Sequence, residues 1–398
     1  MKKLGAIILS AVLTAVLASG CANNTENSGN SASGGNTAGG TIKIGADLEL
    51  TGGQASFGDS VSKGAKLAVD EINAAGGVLG KQLELIVADN ASKSEEATQA
   101  AQKLITSDKV VTIIGASTST NTLGIVPVAT EKKIPLVSVG ATNPKVTVDE
   151  RSGNVNEYVF RAAFIDPFQG EVMANFALDS LKAKTAVIYT DTSSDYSKGL
   201  QKFFEETFKG KGGEVLSQES YQQKDSDFKA VLTRIKAANP DVIYLPGYYE
   251  EVGKIVKQAR EMGITVPFLG GDGWDSPQLV EIAGAAALDN TFMSNHYSSE
   301  DTAHEVTSFV DAYKAANGGA VPDGMAALGY DALKLVADAI TRAGEADPAK
   351  ITEALAATKD LQLATGKITL NDKHDPVKAA VVLKFVDGKQ TFETKVNP

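Results

Sequence analysis

The feature that most constrains this chain is a regular alternation of β-type and helical segments. In the first half, four short apolar runs predict strands at 41–48, 83–88, 110–115 and 135–139. After the first strand, apolar residues recur at helical spacing, which predicts a helix that begins near Asp59 or Ser60 and ends at Gly76-Gly77. Such alternation predicts a parallel sheet with helices on both of its faces.

The second half repeats this plan in the same order. Its predicted segments are a strand at 185–190, a helix at 197–209, a strand at 214–219, a helix at 227–238, a strand at 241–245, a helix at 250–262 and a strand at 266–269. A helix at 330–343 and a strand at 379–386 would complete the two halves. The chain from residue 41 onward is also longer than a single hydrophobic core usually supports, which predicts two domains. We therefore predict an α/β protein with two similar, doubly wound parallel-sheet lobes.

Six loops follow the predicted strands at corresponding places in the two halves. In an open parallel sheet, ligands bind beyond the carboxyl ends of the strands, so two facing lobes would form a cleft between these loops. The first half contributes Phe57, the run 115–120 (GASTST) and the run 140–143 (GATN). The second half contributes Tyr196, the run 247–249 (GYY) and the run 270–274 (GGDGW).

The two sets of loops differ in their chemistry. The first set offers hydroxyls and backbone N–H groups at helix starts, without a charged side chain, which suits a carboxylate. The second set offers one carboxylate, Asp272, beside aromatic rings, which suits an ammonium group. Together they describe an α-amino acid. An apolar side chain fits best, because these loops contain no arginine, unless Arg161 near the lobe junction reaches a second acidic group.

Each feature also has a plainer interpretation. The run 115–120 could be a turn that caps a helix, and Asp272 could be a turn residue between glycines. Trp274 could pack within one lobe, while Tyr196 and Tyr248 could be surface tyrosines. The matching positions of the loops in the two halves favour a shared site.

Motifs of catalysis are incomplete in this chain. The run Gly115 to Ser119 lacks the second glycine of a nucleophile elbow, and Ser60 to Lys63 lacks the Lys-Thr-Gly partner that Ser-x-x-Lys enzymes carry. Neither a dinucleotide-binding fingerprint nor a phosphate-binding loop is present in the sequence. We therefore expect a protein that is not an enzyme and that uses no cofactor.

Composition argues against two further classes. The three histidines, His296, His304 and His374, are far apart, so we expect no metal site and assign each to the core or the surface. The formal charge is −11, and removal of Lys2 and Lys3 with a leader would make it more negative. Phosphate binding requires basic surface, so nucleic acid is not an expected partner.

The N-terminus predicts export. Lys2 and Lys3 precede the uncharged run 4–18, which is shorter than the ~20 residues of a membrane span, so residues 1–20 are expected to be a signal peptide. The run 17–21 (LASGC) resembles the bacterial lipobox, which implies that Cys21, the only cysteine, carries lipid after cleavage. The alternative is an ordinary cleaved signal with a stray cysteine. If Cys21 is lipidated, residues 21–40 are the lipidated cysteine and a flexible Gly/Ser/Asn tether at the outer face of the membrane.

From about Thr41 to its end, the chain resembles the branched-chain amino-acid (Leu/Ile/Val) binding family, which has the type I periplasmic-binding-protein fold. The similar fragments are 140–144 (GATNP), 247–249 (GYY) and the loop 191–196. The resemblance implies that Ser117 and Thr142 hold the ligand carboxylate.

The resemblance also assigns the rest of the ligand. It implies that Asp272, where some relatives have Glu, holds the ammonium together with a backbone carbonyl near Ala141. Phe57, where a relative has Trp, would enclose the side chain with Tyr196 and Tyr248. From its place in the same loop as Asp272, we include Trp274 among the expected ligand-binding residues.

The family fold implies three chain crossovers between the lobes, which form the hinge of a Venus-flytrap closure. We place them near 161–166, 290–294 and 367–371, so that one lobe comprises 41–163 plus 292–368 and the other 164–291 plus 369–398. The resemblance also implies a monomer that delivers its ligand to a membrane ABC permease driven by an ATPase. Open alternatives are another small amino acid or amide as ligand, or a ligand-sensing surface protein.

Overall fold

The structure is a computed structural model that describes residues 40–398. The predicted signal peptide, Cys21 and nearly all of the tether lie outside the described residues. Within residues 40–398, none of the helices is long and apolar enough to cross a membrane.

The first sheet has five parallel strands in the order β2-β1-β3-β4-β5. Its strands and the helices between them are β1 (Ile42–Leu48), α1 (Ala55–Ala74), β2 (Leu83–Asp89), α2 (Ser94–Thr106), β3 (Thr112–Gly115), α3 (Ser119–Lys132), β4 (Leu136–Ser138) and β5 (Val159–Arg161). Strands β1, β3, β4 and β5 are almost completely buried, as expected for a sheet that helices cover on both faces.

The second sheet has seven strands in the order β15-β14-β10-β9-β8-β6-β7. Its first, continuous stretch consists of α4 (Asp166–Asn175), β6 (Thr185–Asp191), α5 (Asp195–Gly210), β7 (Glu214–Tyr221), α6 (Lys229–Ala238), β8 (Val242–Tyr244), α7 (Tyr249–Glu261), β9 (Phe268–Gly270), α8 (Pro277–Ala283), α9 (Ala285–Leu288) and β10 (Thr291–Asn295). The predicted α/β class and its repeated plan are confirmed, and we refer to the bodies built on the two sheets as the first and second lobes.

The remaining chain returns to the first lobe and then to the second. Its elements are α10 (His304–Ala316), α11 (Gly324–Ala343), α12 (Pro348–Ala356), β11 (Leu361–Leu363), β12 (Gly366–Leu370), β13 (Pro376–Val377), β14 (Ala380–Val386) and β15 (Lys389–Val396). Strands β11 to β13 form a small antiparallel sheet. Strand β14 joins the second sheet antiparallel to β10, and β15 pairs antiparallel with β14 at the edge of that sheet.

Two of the predicted crossovers lie later in the chain than we placed them. Strand β10 pairs with β9 and β14 inside the second sheet, so residues 292–295 belong there and the chain leaves the second lobe after Asn295. Residues 369–370 belong to β12 of the small sheet, and the chain rejoins the second sheet only at Ala380. Both predictions came from the resemblance to the family, which did not reveal which sheet each strand would join.

Helices α1 and α11 pack closely together in the first lobe. A Cβ atom on Gly64 of α1 would lie 1.9 Å from the carbonyl oxygen of Ala326, and one on Gly329 of α11 would lie 2.4 Å from that of Val61. The two glycines therefore permit an approach of the backbones that any side chain would prevent. Because α11 also contacts β3 and β4, this pair covers one face of the first sheet.

Helix α1 begins earlier than the sequence indicated. It starts at Ala55, so Asp59 and Ser60, which we expected to cap it, lie inside the helix. As a consequence Phe57 lies in the first turn of α1 rather than in a loop, and it is buried at the edge of the cleft.

Candidate functional site

The first lobe presents two hydroxyl side chains that follow neighbouring parallel strands. Ser117 comes after β3 and Thr142 after β4, and these strands pair in parallel, so their carboxyl ends meet at the same edge. Both residues are buried. Among the residues that the structure describes, neither Ser117 Oγ nor Thr142 Oγ1 has a hydrogen-bond partner. Buried hydroxyls normally have a hydrogen-bond partner. Because these two lack one, both are available to a ligand.

A carboxylate that sequence reasoning missed lies behind these hydroxyls. Glu49 is fully buried and accepts hydrogen bonds from the backbone N–H groups of Ser117 and Thr118 at 3.0 and 3.1 Å. It also accepts from Thr118 Oγ1 and Asn121 Nδ2, each at 3.0 Å. The prediction that this half of the site carries no charge is therefore wrong. Two of the N–H groups that we expected to meet an anion are already bonded to Glu49.

Ala141 and Arg161 are bonded to one another. Arg161 Nη1 donates to the carbonyl oxygen of Ala141 at 2.8 Å, and Arg161 Nε lies 2.7 Å from Asp375 Oδ1. The guanidinium is fully buried and is held by the crossover that carries Asp375. Arg161 is therefore committed to the hinge, which removes the arginine that could have met a second acidic group on a ligand.

The second lobe presents Asp272 in the short helical turn that follows β9. This residue is 2 % exposed. Tyr196 Oη and Gln169 Nε2 donate to its Oδ1 at 2.8 and 2.9 Å, and His296 Nε2 lies 2.8 Å from its Oδ2. Asp272 is thus a fixed carboxylate supported from α5, α4 and the second crossover, rather than a surface turn residue.

His296 was expected in the core or at the surface, and the structure places it in the core beside Asp272. Its ring stacks on Phe164 with centroids 3.8 Å apart. Burial lowers the pKa of His296, and the hydrogen bond to Asp272 opposes that effect. No sequence motif pointed to this contact, because His296 and Asp272 come together only through the pairing of β9 with β10.

A second carboxylate near Asp272 was also missed. Asp166 begins α4 directly after the first crossover and is fully buried. Neither of its side-chain oxygens has a hydrogen-bond partner within residues 40–398, while its backbone N–H donates to the carbonyl of Thr142 at 2.9 Å. Burial raises the pKa of Asp166 well above its usual range. The nearby Thr142 side chain opposes this effect, and the charge of Asp272 adds to it. An unpartnered buried carboxylate next to Thr142 is a place where a cation can be held.

Aromatic rings from both lobes meet beside these polar groups. The rings of Tyr196 and Tyr248 stack with centroids 5.3 Å apart, and those of Phe57 and Tyr248 form an edge-to-face pair with centroids 5.8 Å apart. Both tyrosines are buried, so the alternative that they are surface residues is not what the structure shows. Trp274 lies in the core of the second lobe, where its Nε1 donates to the carbonyl of Leu245 at 3.0 Å. Its place matches the alternative of packing within one lobe.

The two lobes touch at the rim of the cleft. Ser56 Oγ lies 2.7 Å from Ser276 Oγ, and Asn143 Nδ2 donates to the carbonyl of Asp195 at 2.8 Å. A cavity of about 220 Å³ opens at the mouth and is lined from both lobes, by residues that include Thr118 and Tyr248. The structure is therefore a closed arrangement, with the polar groups of the two lobes buried between them.

This fold and this cleft define a two-lobed solute-binding protein, in which hydroxyls of one lobe face carboxylates of the other. The comparison with protein families agrees, since residues 41–390 match the family described as periplasmic binding protein. The chain belongs to that family, whose members bind solutes outside the cytoplasm and are not enzymes.

Relatives with known names narrow the group. The leucine-, isoleucine-, valine-, threonine- and alanine-binding protein of Pseudomonas aeruginosa is 30% identical, over 84% of this chain and 87% of the relative. The solved leucine-binding protein LivK of Thermotoga maritima is 39% identical, with a TM-score of 0.84, over 90% of this chain and 99% of that one. The branched-chain amino acid transporter substrate-binding protein LivJ of Streptococcus pneumoniae, solved with isoleucine, is 40% identical, with a TM-score of 0.84, over 90% of this chain and all of that one (100%).

Proposed function

We propose that this chain captures an aliphatic, branched-chain amino acid in the cleft between its lobes and delivers it to an ABC permease. The observation that carries the proposal is the arrangement of unpartnered hydroxyls on the first lobe opposite buried carboxylates on the second. Relatives that bind leucine or isoleucine, at 39% and 40% identity, support the ligand class.

The carboxylate of the ligand is assigned to Ser117 and Thr142. Their hydroxyls are buried, lack partners among the described residues, and can each donate one hydrogen bond to an oxyanion. A hydrogen bond to a charged group contributes about 1.5–3 kcal/mol, so loss of either hydroxyl should weaken binding roughly 10- to 100-fold.

The ammonium group is assigned to Asp272 and Asp166, with the carbonyl of Ala141 as an additional acceptor. Asp272 is held by three donors, while both oxygens of Asp166 are free of partners within the described chain. A carbonyl oxygen has two lone pairs, so Ala141 can accept from the ligand as well as from Arg161. The stacked rings of Tyr196 and Tyr248 add attraction for a cation.

The side chain of the ligand is assigned to the aromatic faces of Phe57, Tyr196 and Tyr248. These rings are buried and meet across the cleft. Since Arg161 is paired with Asp375, it does not reach a second carboxylate on a ligand. An aliphatic side chain is therefore preferred over an acidic one, and the grouping of Asp272 with Asp166 disfavours ligands that lack an ammonium group.

Delivery is proposed to depend on hinge closure and on a membrane anchor. The open form would bind ligand on one lobe and close by bending at the three crossovers, because contacts to the second lobe form only in the closed state. We assign residues 1–20 to a signal peptide and Cys21 to lipidation, which would hold a monomer near the permease and its ATPase. The variant Cys21→Ser tests the anchor. We expect it to be released from membranes and to lack the mass of the lipid.

The binding proposal is tested by calorimetry on the purified protein after unfolding and refolding to remove bound ligand. Titration with leucine, isoleucine, valine, alanine, glutamate and glutamine should give micromolar or tighter binding for the aliphatic ligands. Asp272→Ala should abolish this binding without unfolding the protein, whereas Asp311→Ala, an exposed change on α10, should not affect it. Binding of glutamate or glutamine alone would reassign the ligand. No binding at all would favour the ligand-sensing alternative.

A further inference from the structure

Two histidines lie at the crossovers, and each stacks on a phenylalanine. His374 stacks on Phe160 with centroids 4.2 Å apart, and its Nδ1 lies 2.9 Å from the carbonyl oxygen of Val159. His296 stacks on Phe164 at 3.8 Å, but its Nε2 lies 2.8 Å from a side-chain oxygen of Asp272. The two histidines therefore share a packing role, and only His296 reaches a carboxylate of the cleft.

His296 contacts the oxygen of Asp272 that the other two donors leave free. Tyr196 and Gln169 both donate to Oδ1, whereas His296 meets Oδ2. Rotation of the carboxylate about its Cβ–Cγ bond moves both oxygens, so a donor on Oδ2 adds to the two donors on Oδ1 in fixing the plane of the group. The direction in which the remaining lone pairs point, and hence the place of an ammonium group, then depends on His296.

The surroundings favour a neutral imidazole. His296 is 2 % exposed, and its Nδ1 has no hydrogen-bond partner in the described part of the chain. Burial has the largest effect and disfavours a second proton on the ring. Of the two charged groups that face the ring, Asp272 favours that proton and Lys378 disfavours it. A neutral ring that donates through Nε2 orients Asp272 and leaves its negative charge for a ligand, whereas an imidazolium would compete with the ligand for that charge.

We propose that His296 is a positioning residue of the ammonium site, which holds the Asp272 carboxylate in the plane required by the ligand. The inference rests on the proposed function, since it concerns the same cleft. It also connects the site with the hinge: His296 directly follows β10, and Phe164 lies in the first crossover, so the stacked pair spans two of the three crossovers.

The test compares His296→Gln and His296→Leu with the matched control His374→Leu. Glutamine retains a donor near the place of the imidazole Nε2, while leucine retains apolar packing and removes the donor. We expect His296→Leu to weaken leucine binding about 10- to 100-fold, as for loss of one charge-assisted hydrogen bond, and His296→Gln to restore most of it. His374→Leu should change the affinity less than about threefold.

Thermal unfolding of each variant shows whether it is folded, which separates weaker binding from loss of the folded structure. Equal losses for the leucine and glutamine variants of His296 would mean that ring packing alone matters, and unchanged affinity in both would mean that Asp272 needs no support; either result overturns the inference. Failure of the unaltered protein to bind any aliphatic amino acid would instead overturn the proposed function, and the role of His296 with it.

Discussion

Replacement of Glu49 by Gln tests how much the buried carboxylate contributes to the first lobe. Glu49 accepts four hydrogen bonds at 3.0–3.1 Å, from the N–H groups of Ser117 and Thr118 and from the side chains of Thr118 and Asn121. Glutamine has the same shape but is neutral, and one of its oxygens becomes an NH₂ group. The change therefore alters charge and hydrogen bonding without creating a cavity.

The expected loss follows from these four contacts. Hydrogen bonds to a charged group contribute about 1.5–3 kcal/mol and neutral ones about 0.5–1.5, so three bonds that lose charge assistance lose roughly 3 kcal/mol together. The new NH₂ group faces the N–H of Ser117, and a buried donor left unpaired costs about 1–3 kcal/mol more. A neutral side chain is less costly to bury, which offsets part of this, so we expect a net loss of about 3–4 kcal/mol.

This loss can be measured by unfolding in urea, with the fluorescence of Trp274 as the probe. Trp274 is buried and is the only tryptophan in the chain. With a slope of roughly 3 kcal/mol per M, the unfolding midpoint of Glu49→Gln should fall by about 1 M. Glu84→Gln, an exposed change on β2, is the matched control and should shift the midpoint by less than about 0.2 M. A shift for Glu49→Gln as small as that of the control, with an unchanged slope, would refute the reasoning.

Three further changes have defined outcomes. Arg161→Leu leaves Asp375 buried without its ion pair and should lower the free energy of unfolding by about 3–5 kcal/mol in urea titrations. Gly199→Ala would put a Cβ atom 2.1 Å from Asp166 Oδ2, so calorimetry should record at least about tenfold weaker leucine binding if Asp166 holds the ammonium. Burial raises the pKa of Asp323 from 3.8 to about 7, so the folded state holds the proton more tightly and stability should fall as the pH rises from 3.8 to 7. Asp323→Asn should flatten that part of a stability–pH profile measured by urea unfolding.

Much of the fold was accessible from sequence because its strands are short apolar runs and its helices carry a regular apolar spacing. The strands β1 to β4 and β6 to β9 were predicted within a few residues of their observed bounds. Strands β5, β10 to β13 and β15 were missed because they lack a distinctive apolar run. Length is not the reason, since the three-residue strands β4, β8 and β9 were found. The pairing of the missed strands depends on which lobe the chain has entered, and local periodicity does not contain that information.

The candidate site was only partly accessible for a similar reason. Ser117, Thr142 and Asp272 follow strands, and the rule for parallel sheets finds such residues. Glu49 also follows a strand, β1, so the same rule applies to it. Asp166 and His296 lie at the hinge, where only the folded chain brings them beside the cleft.

The pairing of α1 with α11 has a consequence for how the chain acquires its structure. The two helices are separated by about 250 residues of sequence, and the glycines at their contact bring the backbones together closely. As the chain is made from its N-terminus, α1 can pack on its neighbours β1 and β2, but the part of its surface that contacts α11 stays uncovered until about 250 more residues have followed. The first lobe therefore cannot complete its helical layer before α11 has been made, and this delay would favour an incompletely folded chain during the export that we propose.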